Sequence, residues 1–237
     1  RRLLGIFALT AVSAAFAWQL KSGPELPHHP VQNWLQLPEG WNLGETSGVA
    51  TDSSDNVWVF HRGPHTIVQL NKHGQYLRSW GDGMVKASHG VRVGPDGSVW
   101  AVDVEGHRIF KFDPQGRLLL VLGGVGGSAA KDNNEQYAFN RPTGVSFDSK
   151  GNVYVSDGYI NSRVVKYSPG GEFLLQWGQK GTADGQFDLV HDVAVDAKDR
   201  VYVADRSNRR VQIFDTNGKF LGKWTDVGTP WGLIYDR

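Results

Sequence analysis

The chain has 237 residues, 40% of them hydrophobic and 21% charged, enough for one sizeable core and too ordinary in composition for disorder. Its 25 basic and 24 acidic residues leave a net charge of +1, which argues against nucleic acid or an anionic membrane surface as a partner. The absence of cysteine excludes a disulfide framework, while 30 glycines and nine tryptophans point to short strands joined by tight turns, an all-β chain.

At the N-terminus, Arg1 and Arg2 precede an apolar run from Leu3 to Ala17 that closes on Ala15-Phe16-Ala17. This basic, apolar and small-residue order reads as a signal peptide over residues 1–17 and implies export to the periplasm or the extracellular space. The run is short for a membrane span, and an uncleaved anchor is the alternative reading. Residues 18–43, with Pro24, Pro27, Pro30 and the solvated pair His28-His29, read as a linker.

From residue 44 onward the chain repeats itself. Short alternating strands recur at Ser47-Gly48-Val49-Ala50, Ser88-His89-Gly90-Val91, Pro142-Thr143-Gly144-Val145, Val190-His191-Asp192-Val193 and Pro230-Trp231-Gly232-Leu233. Each of the first four is followed by a polar turn and a β-branched and aromatic strand: Val57-Trp58-Val59, Val99-Trp100-Ala101, Val153-Tyr154-Val155 and Val201-Tyr202-Val203. A third strand (Thr66 to Leu70, Arg108 to Phe112, Arg163 to Tyr167, Arg210 to Phe214) and a fourth, ending at Trp80, Leu122, Trp177 or Trp224, complete each unit. Four strands per unit make a propeller blade, so residues 44–237 hold four blades and the start of a fifth. Equivalent positions lie 42, 54, 48 and 40 residues apart, and the long second interval is a Gly-rich and polar insertion, Gly123 to Asn140, read as a surface loop.

The residue at the head of each innermost strand differs from copy to copy: Ser47, His89, Thr143, His191 and Trp231. Histidines in alternate blades of a six-fold ring converge on its axis. They either bind water there or form part of a catalytic zinc site that a third imidazole would complete. On the same face the loops after the second strands carry Arg62, Tyr159 and Arg206. Two guanidiniums suit a substrate carboxylate or a developing oxyanion, and a tyrosine beside them suits proton transfer.

The recurring Asp157, Asn161, Arg163 and Asp205, Asn208, Arg210 resemble the signature of NHL repeats, and they read as buried framework because Asp and Arg can satisfy one another within a blade. More specifically, Phe60-His61-Arg62-Gly63, Ser88-His89-Gly90-Val91, Ser156-Asp157-Gly158-Tyr159, Val190-His191 and Ala204-Asp205-Arg206 together resemble peptidyl-α-hydroxyglycine α-amidating lyase. The resemblance implies a six-bladed propeller that cleaves a carbinolamide C–N bond to a peptide amide and glyoxylate. It implies zinc held by His89 and His191, with a third histidine and a calcium-binding Asp in a last blade that follows this segment. It also implies a calcium ion on the backbone carbonyls of Val49 and Val91, and an active site of Arg62, Tyr159 and Arg206. The substrate would be a small molecule or peptide with a terminal carboxylate. Two other readings compete: a non-catalytic NHL propeller binding a ligand or protein on its upper face, and a lactonase-like hydrolase whose metal is held by carboxylates and Asn.

Overall fold

The computed structural model describes residues 29–235, so the apolar N-terminal run and the first part of the expected linker lie outside the described residues. Sixteen strands form four antiparallel sheets, each made of four strands consecutive in the chain. Blade one is β1 (Glu45–Thr51), β2 (Val57–Arg62), β3 (Ile67–Leu70) and β4 (Tyr76–Trp80); blade two is β5 (Ser88–Val93), β6 (Val99–Asp103), β7 (Arg108–Phe112) and β8 (Leu118–Gly123). Blade three is β9 (Pro142–Phe147), β10 (Val153–Asp157), β11 (Arg163–Tyr167) and β12 (Phe173–Trp177), and blade four is β13 (Val190–Val195), β14 (Val201–Asp205), β15 (Arg210–Phe214) and β16 (Phe220–Trp224). The first strands of successive blades touch one another, β1 on β5, β5 on β9 and β9 on β13, so they stand side by side around a common axis.

Blades two and three are covered on both faces by their neighbours, which explains why their second strands are buried at every position instead of alternating. β6 and β10 are buried along their whole length. The core is a series of layers between blades. Trp58, Phe60 and Ile67 meet Val91, Ala101 and Phe112; Trp100, Val102 and Ile109 meet Val145, Phe147 and Val165; Tyr154 and Val164 meet Val193, Val203 and Phe214. The outer strands are half in solvent, with Leu118, Leu119 and Val121 of β8 exposed.

The recurrence of a fourth-strand tryptophan and a turn glycine has one cause. The Trp80 ring lies over Gly116 of the next blade, and the Trp177 ring over Gly218. A Cβ at either glycine would stand 2.7 or 2.8 Å from the indole, and both glycines have left-handed backbone, φ +91° and +78°. The residues just before blade one use the same device, since the Trp34 carbonyl closes on Gly74 and Gln36 pairs with Gln75 in a bridge. Trp34, Leu37 and Leu43 pack on Val59, Val68 and Leu70. The end of the stretch read as a linker is thus laid against blade one.

Two further segments carry detail that the sequence reading lacked. The insertion between blades two and three contains a short 3₁₀ turn (Val125–Gly127) and is tied down rather than loose: Phe139 is fully buried, and Arg163 donates to the carbonyls of Asn133 and Ala138. The fifth repeat copy carries no strand over its described residues, 231–235. Its backbone is held by side chains of the channel instead of by a ladder.

Candidate functional site in the central channel

A cavity of about 640 Å³ opens at the head of the innermost strands. The four sheets supply its walls, and the residues that vary between blades line it: Ser47, His89, Thr143, Tyr159, His191 and Trp231. Ser47 and Thr143 are spent on the scaffold. Ser47 Oγ bonds Ser88 Oγ at 2.8 Å and the Phe60 carbonyl, while Thr143 Oγ1 reaches Ser156 and the Val190 carbonyl at 2.8 Å.

The histidines are oriented differently. His89 Nδ1 lies 2.6 Å from the Thr143 carbonyl and His191 Nδ1 lies 2.5 Å from the Trp231 carbonyl. A carbonyl oxygen only accepts, so both Nδ1 atoms carry the proton and both Nε2 atoms present a lone pair. Both rings are held neutral. Burial, then the neighbouring His191, then Arg62 and Arg141 push His89 down to about 4; burial foremost, with Arg206, lowers His191 against the opposing pull of the Trp231 carbonyl and Asp192.

The two Nε2 atoms face one oxygen. The Tyr159 hydroxyl stands 3.2 Å from Nε2 of His89 and 3.1 Å from Nε2 of His191. One hydroxyl proton cannot serve two acceptors, so one lone pair has no protein donor among the described residues. Tyr159 reaches this point because Gly158 has no side chain: a Cβ there would stand 1.8 Å from the Val190 carbonyl, and its absence lets the loop of blade three cross to β13. Leu189 and Arg141, which lead into β13 and β9, both have left-handed backbone, with φ of 63° and 60°.

Four guanidiniums surround the cavity. Arg62 bonds Glu45 at 3.0 Å at the exposed rim and reaches the Ser88 carbonyl. Arg206 lies on the Trp231 ring, Cζ 3.3 Å from the centroid. Sequence reasoning missed the other two. Arg141 sits 5.2 Å above the Tyr159 ring and pairs with Glu105. Arg92 points into the channel and donates to Asp192 at 2.8 Å, the single acidic residue among those lining the cavity. Burial raises the Asp192 carboxyl and the guanidinium opposes that rise. The missed signal is a charged residue inside an apolar inner strand, at Arg92 in β5 and Asp192 in β13. Val49 borders the same channel, while Val91 is fully buried between blades one and two and its carbonyl accepts from Arg92 at 2.9 Å.

The framework residues lie elsewhere. In blade three Asp157 accepts from Arg163 Nε at 2.9 Å, from Asn161 and from the Asn140 N–H; in blade four Asp205 accepts from Arg210 Nε at 2.6 Å, from Asn208 and from the Asp188 N–H.

A family model described as NHL repeat matches residues 89–112, 139–167 and 187–214, the stretches that form most of blades two, three and four. The chain is an NHL-repeat β-propeller. As an NHL propeller it resembles the amidating lyases: it is 35% identical over 248 residues to peptidylglycine alpha-amidating monooxygenase of Rattus norvegicus, covering 88% of this chain and 25% of the relative. It is 31% identical to peptidyl-alpha-hydroxyglycine alpha-amidating lyase 1 of Drosophila melanogaster, covering 82% of this chain and 41% of that one. It is also 34% identical to NHL repeat-containing protein 3 of Homo sapiens, over 84% of this chain and 60% of the relative. The chain thus spans from a quarter to three-fifths of the length of these relatives. Among solved structures, a streptogramin B lyase superimposes with a TM-score of 0.62 at 12% identity, covering 78% of this chain and 56% of that one, and shares the fold alone.

Proposed function

We propose that this NHL propeller is a zinc-dependent lyase of the peptidyl-α-hydroxyglycine amidating type. One observation carries the reading: two neutral imidazoles, each locked by a backbone carbonyl, aim their Nε2 lone pairs at a single phenolic oxygen. Among the described residues no third His, Cys, Asp or Glu joins them. The donor set nevertheless suits zinc, because neutral imidazole nitrogens with a carbonyl behind each Nδ1–H are the ligands and outer partners that zinc takes. His89 and His191 would hold the ion. Bound there, zinc supplies Lewis-acid polarisation of a substrate oxygen.

The chain's own residues then have separate tasks. Arg62 and Arg206, with Arg141 beside them, give the cavity a positive rim for the terminal carboxylate of a small-molecule or peptide substrate. The Tyr159 oxygen passes the proton of the carbinolamide hydroxyl on to the amide nitrogen as the C–N bond breaks. The electron pair of that bond leaves with the amide nitrogen, which is protonated, and the products are an amide and glyoxylate. His89 and His191, held neutral, keep their Nε2 lone pairs available at the reaction centre. Trp231 supports Arg206 from beneath. The exported location read from the N-terminal run, and a ring of six blades, belong to the same proposal.

The test is direct. The purified protein, loaded with zinc and given a peptidyl-α-hydroxyglycine, should release glyoxylate and peptide amide in equal amounts, and a chelator should stop it. The rival is a propeller that only binds a ligand or protein, and the similarity to a relative named for its repeats alone favours it. Under that reading no glyoxylate forms and no zinc is retained.

A further inference from the structure

We propose that Arg92 supplies the cation of the central channel, in the place where the resemblance to the lyases implies a bound calcium ion. The inference rests on the channel alone and holds whether or not the histidine pair is catalytic. Calcium is a hard cation that gathers six to eight oxygen ligands, usually with carboxylates among them. The oxygens available here are already gathered by a guanidinium. Arg92 Nη1 donates to the Val91 carbonyl at 2.9 Å, and Nη2 donates to Asp192 Oδ2 at 2.8 Å and to the Leu233 carbonyl at 2.9 Å.

The partners of this group are themselves ordered. Asp192 Oδ2 also accepts the Leu233 N–H at 2.9 Å, and Oδ1 accepts the Val193 N–H at 2.9 Å. Room for the carboxylate comes from Gly144, where a Cβ would stand 2.2 Å from Asp192 Oδ1. Two strands and the head of the fifth copy are therefore joined by one planar, permanently charged side chain whose donors match the oxygens around it. A divalent ion on the Val91 carbonyl would have to displace Arg92 from both the carbonyl and the carboxylate. Left nearby, the guanidinium would repel it; swung out, it would lose three hydrogen bonds. The Val91 carbonyl is thus not a calcium ligand in this chain, and Val49 is left without the second ligand of the implied pair.

Calcium content and thermal stability of the purified protein test the proposal without any activity assay. The wild type should contain no stoichiometric calcium by elemental analysis, and its Tm should move by less than about 1 °C between millimolar calcium and a calcium chelator, because a ligand that does not bind does not stabilise. Arg92→Ser, which frees the Asp192 carboxylate and both carbonyls, should lower Tm by roughly 5–10 °C in chelator and recover part of that loss on calcium addition, as expected for an unpaired buried charge. One calcium per chain in the wild type, or a wild-type Tm that rises with calcium, overturns the proposal, as does an Arg92→Ser protein as stable as the wild type in chelator. The wild-type measurements decide even where the variant fails to fold.

Discussion

The polar groups within the blades and those in the channel obey opposite rules. Arg163 is fully buried and donates to Asp157, to Gln176 and to two carbonyls, so its charge and its hydrogen-bonding capacity are both matched. His191 is buried and His89 half-buried, and their outward-facing nitrogens compete for one hydroxyl. Closed networks of the first kind fix how a blade sits on its neighbour. An over-supply of acceptors around one point, with cationic side chains at the rim, suits the bound ion and anionic substrate of the proposed function.

That contrast can be broken from either side. The largest effect is expected at the channel: Tyr159→Phe should reduce glyoxylate release by about 10²–10⁴-fold, the range of a lost acid–base group, while leaving the thermal midpoint unmoved. A Tyr159→Phe protein with wild-type turnover would remove the tyrosine from the chemistry. Next is the framework, where Arg163→Met should cost about 3–5 kcal/mol in urea unfolding because Asp157 is left buried without its partner. Retention of wild-type stability would show that the blade network is replaceable.

A smaller effect separates the two regions by pH. Asp148 accepts from the Lys150 and Asn152 N–H groups, the Asn152 amide and the Tyr154 hydroxyl. Burial alone would raise its pKa, but the hydrogen bonds, those from Asn152 foremost, outweigh burial and hold it below its ordinary 3.8. The folded state therefore holds this proton more weakly than the unfolded chain. Its stabilisation is complete above 3.8 and fades as pH falls through the lowered folded value. Asp148→Asn should cost about 1–2 kcal/mol at neutral pH, with the gap to wild type closing in acid, as read by denaturation at a series of pH values. A gap independent of pH would contradict the carboxylate's role. Smallest is Arg141→Gln, which removes the cation from the Tyr159 ring and should change kcat/KM by a few fold, in line with about 0.5–1 kcal/mol for such a contact.

Much of the fold was legible because it is local and repeated. Alternation, turn residues and the Val-aromatic triplets marked the sixteen strands of the described residues, although the second strands run two or three residues past their triplets and β1 begins two residues early. The Asp of the first turn was not singled out, although Asp52, Asp148 and Asp196 each reach the aromatic residue of their own second strand. Blade two lacks it. There Gly94 leaves room, Ser98 takes over the bond to Trp100 at 2.9 Å, and Asp96 accepts from Ser98. The insertion was legible as a surface loop, but its anchors were not, because Asn133 and Ala138 are met by Arg163 and Gln176 of the following blade. In the channel, the positions of His89, His191 and Tyr159 followed from comparing repeat copies. Arg92 escaped because its partner, Asp192, lies in another blade, and no periodicity within one blade encodes a contact between two; Arg141 escaped because it meets the Tyr159 ring between two non-strand segments of blade three, which the strand pattern does not describe.

The guanidinium in the channel also sets a constraint on how the chain reaches its native state. Blade-on-blade stacking is nearest-neighbour and can proceed as the chain is made. Arg92 instead finds Asp192 across 100 residues and Leu233 across 141. Its contacts therefore close late, after blade four has formed, and until then a charged side chain must stay hydrated inside a growing ring. This long-range cross-link thus also reports that blades two and four are in register.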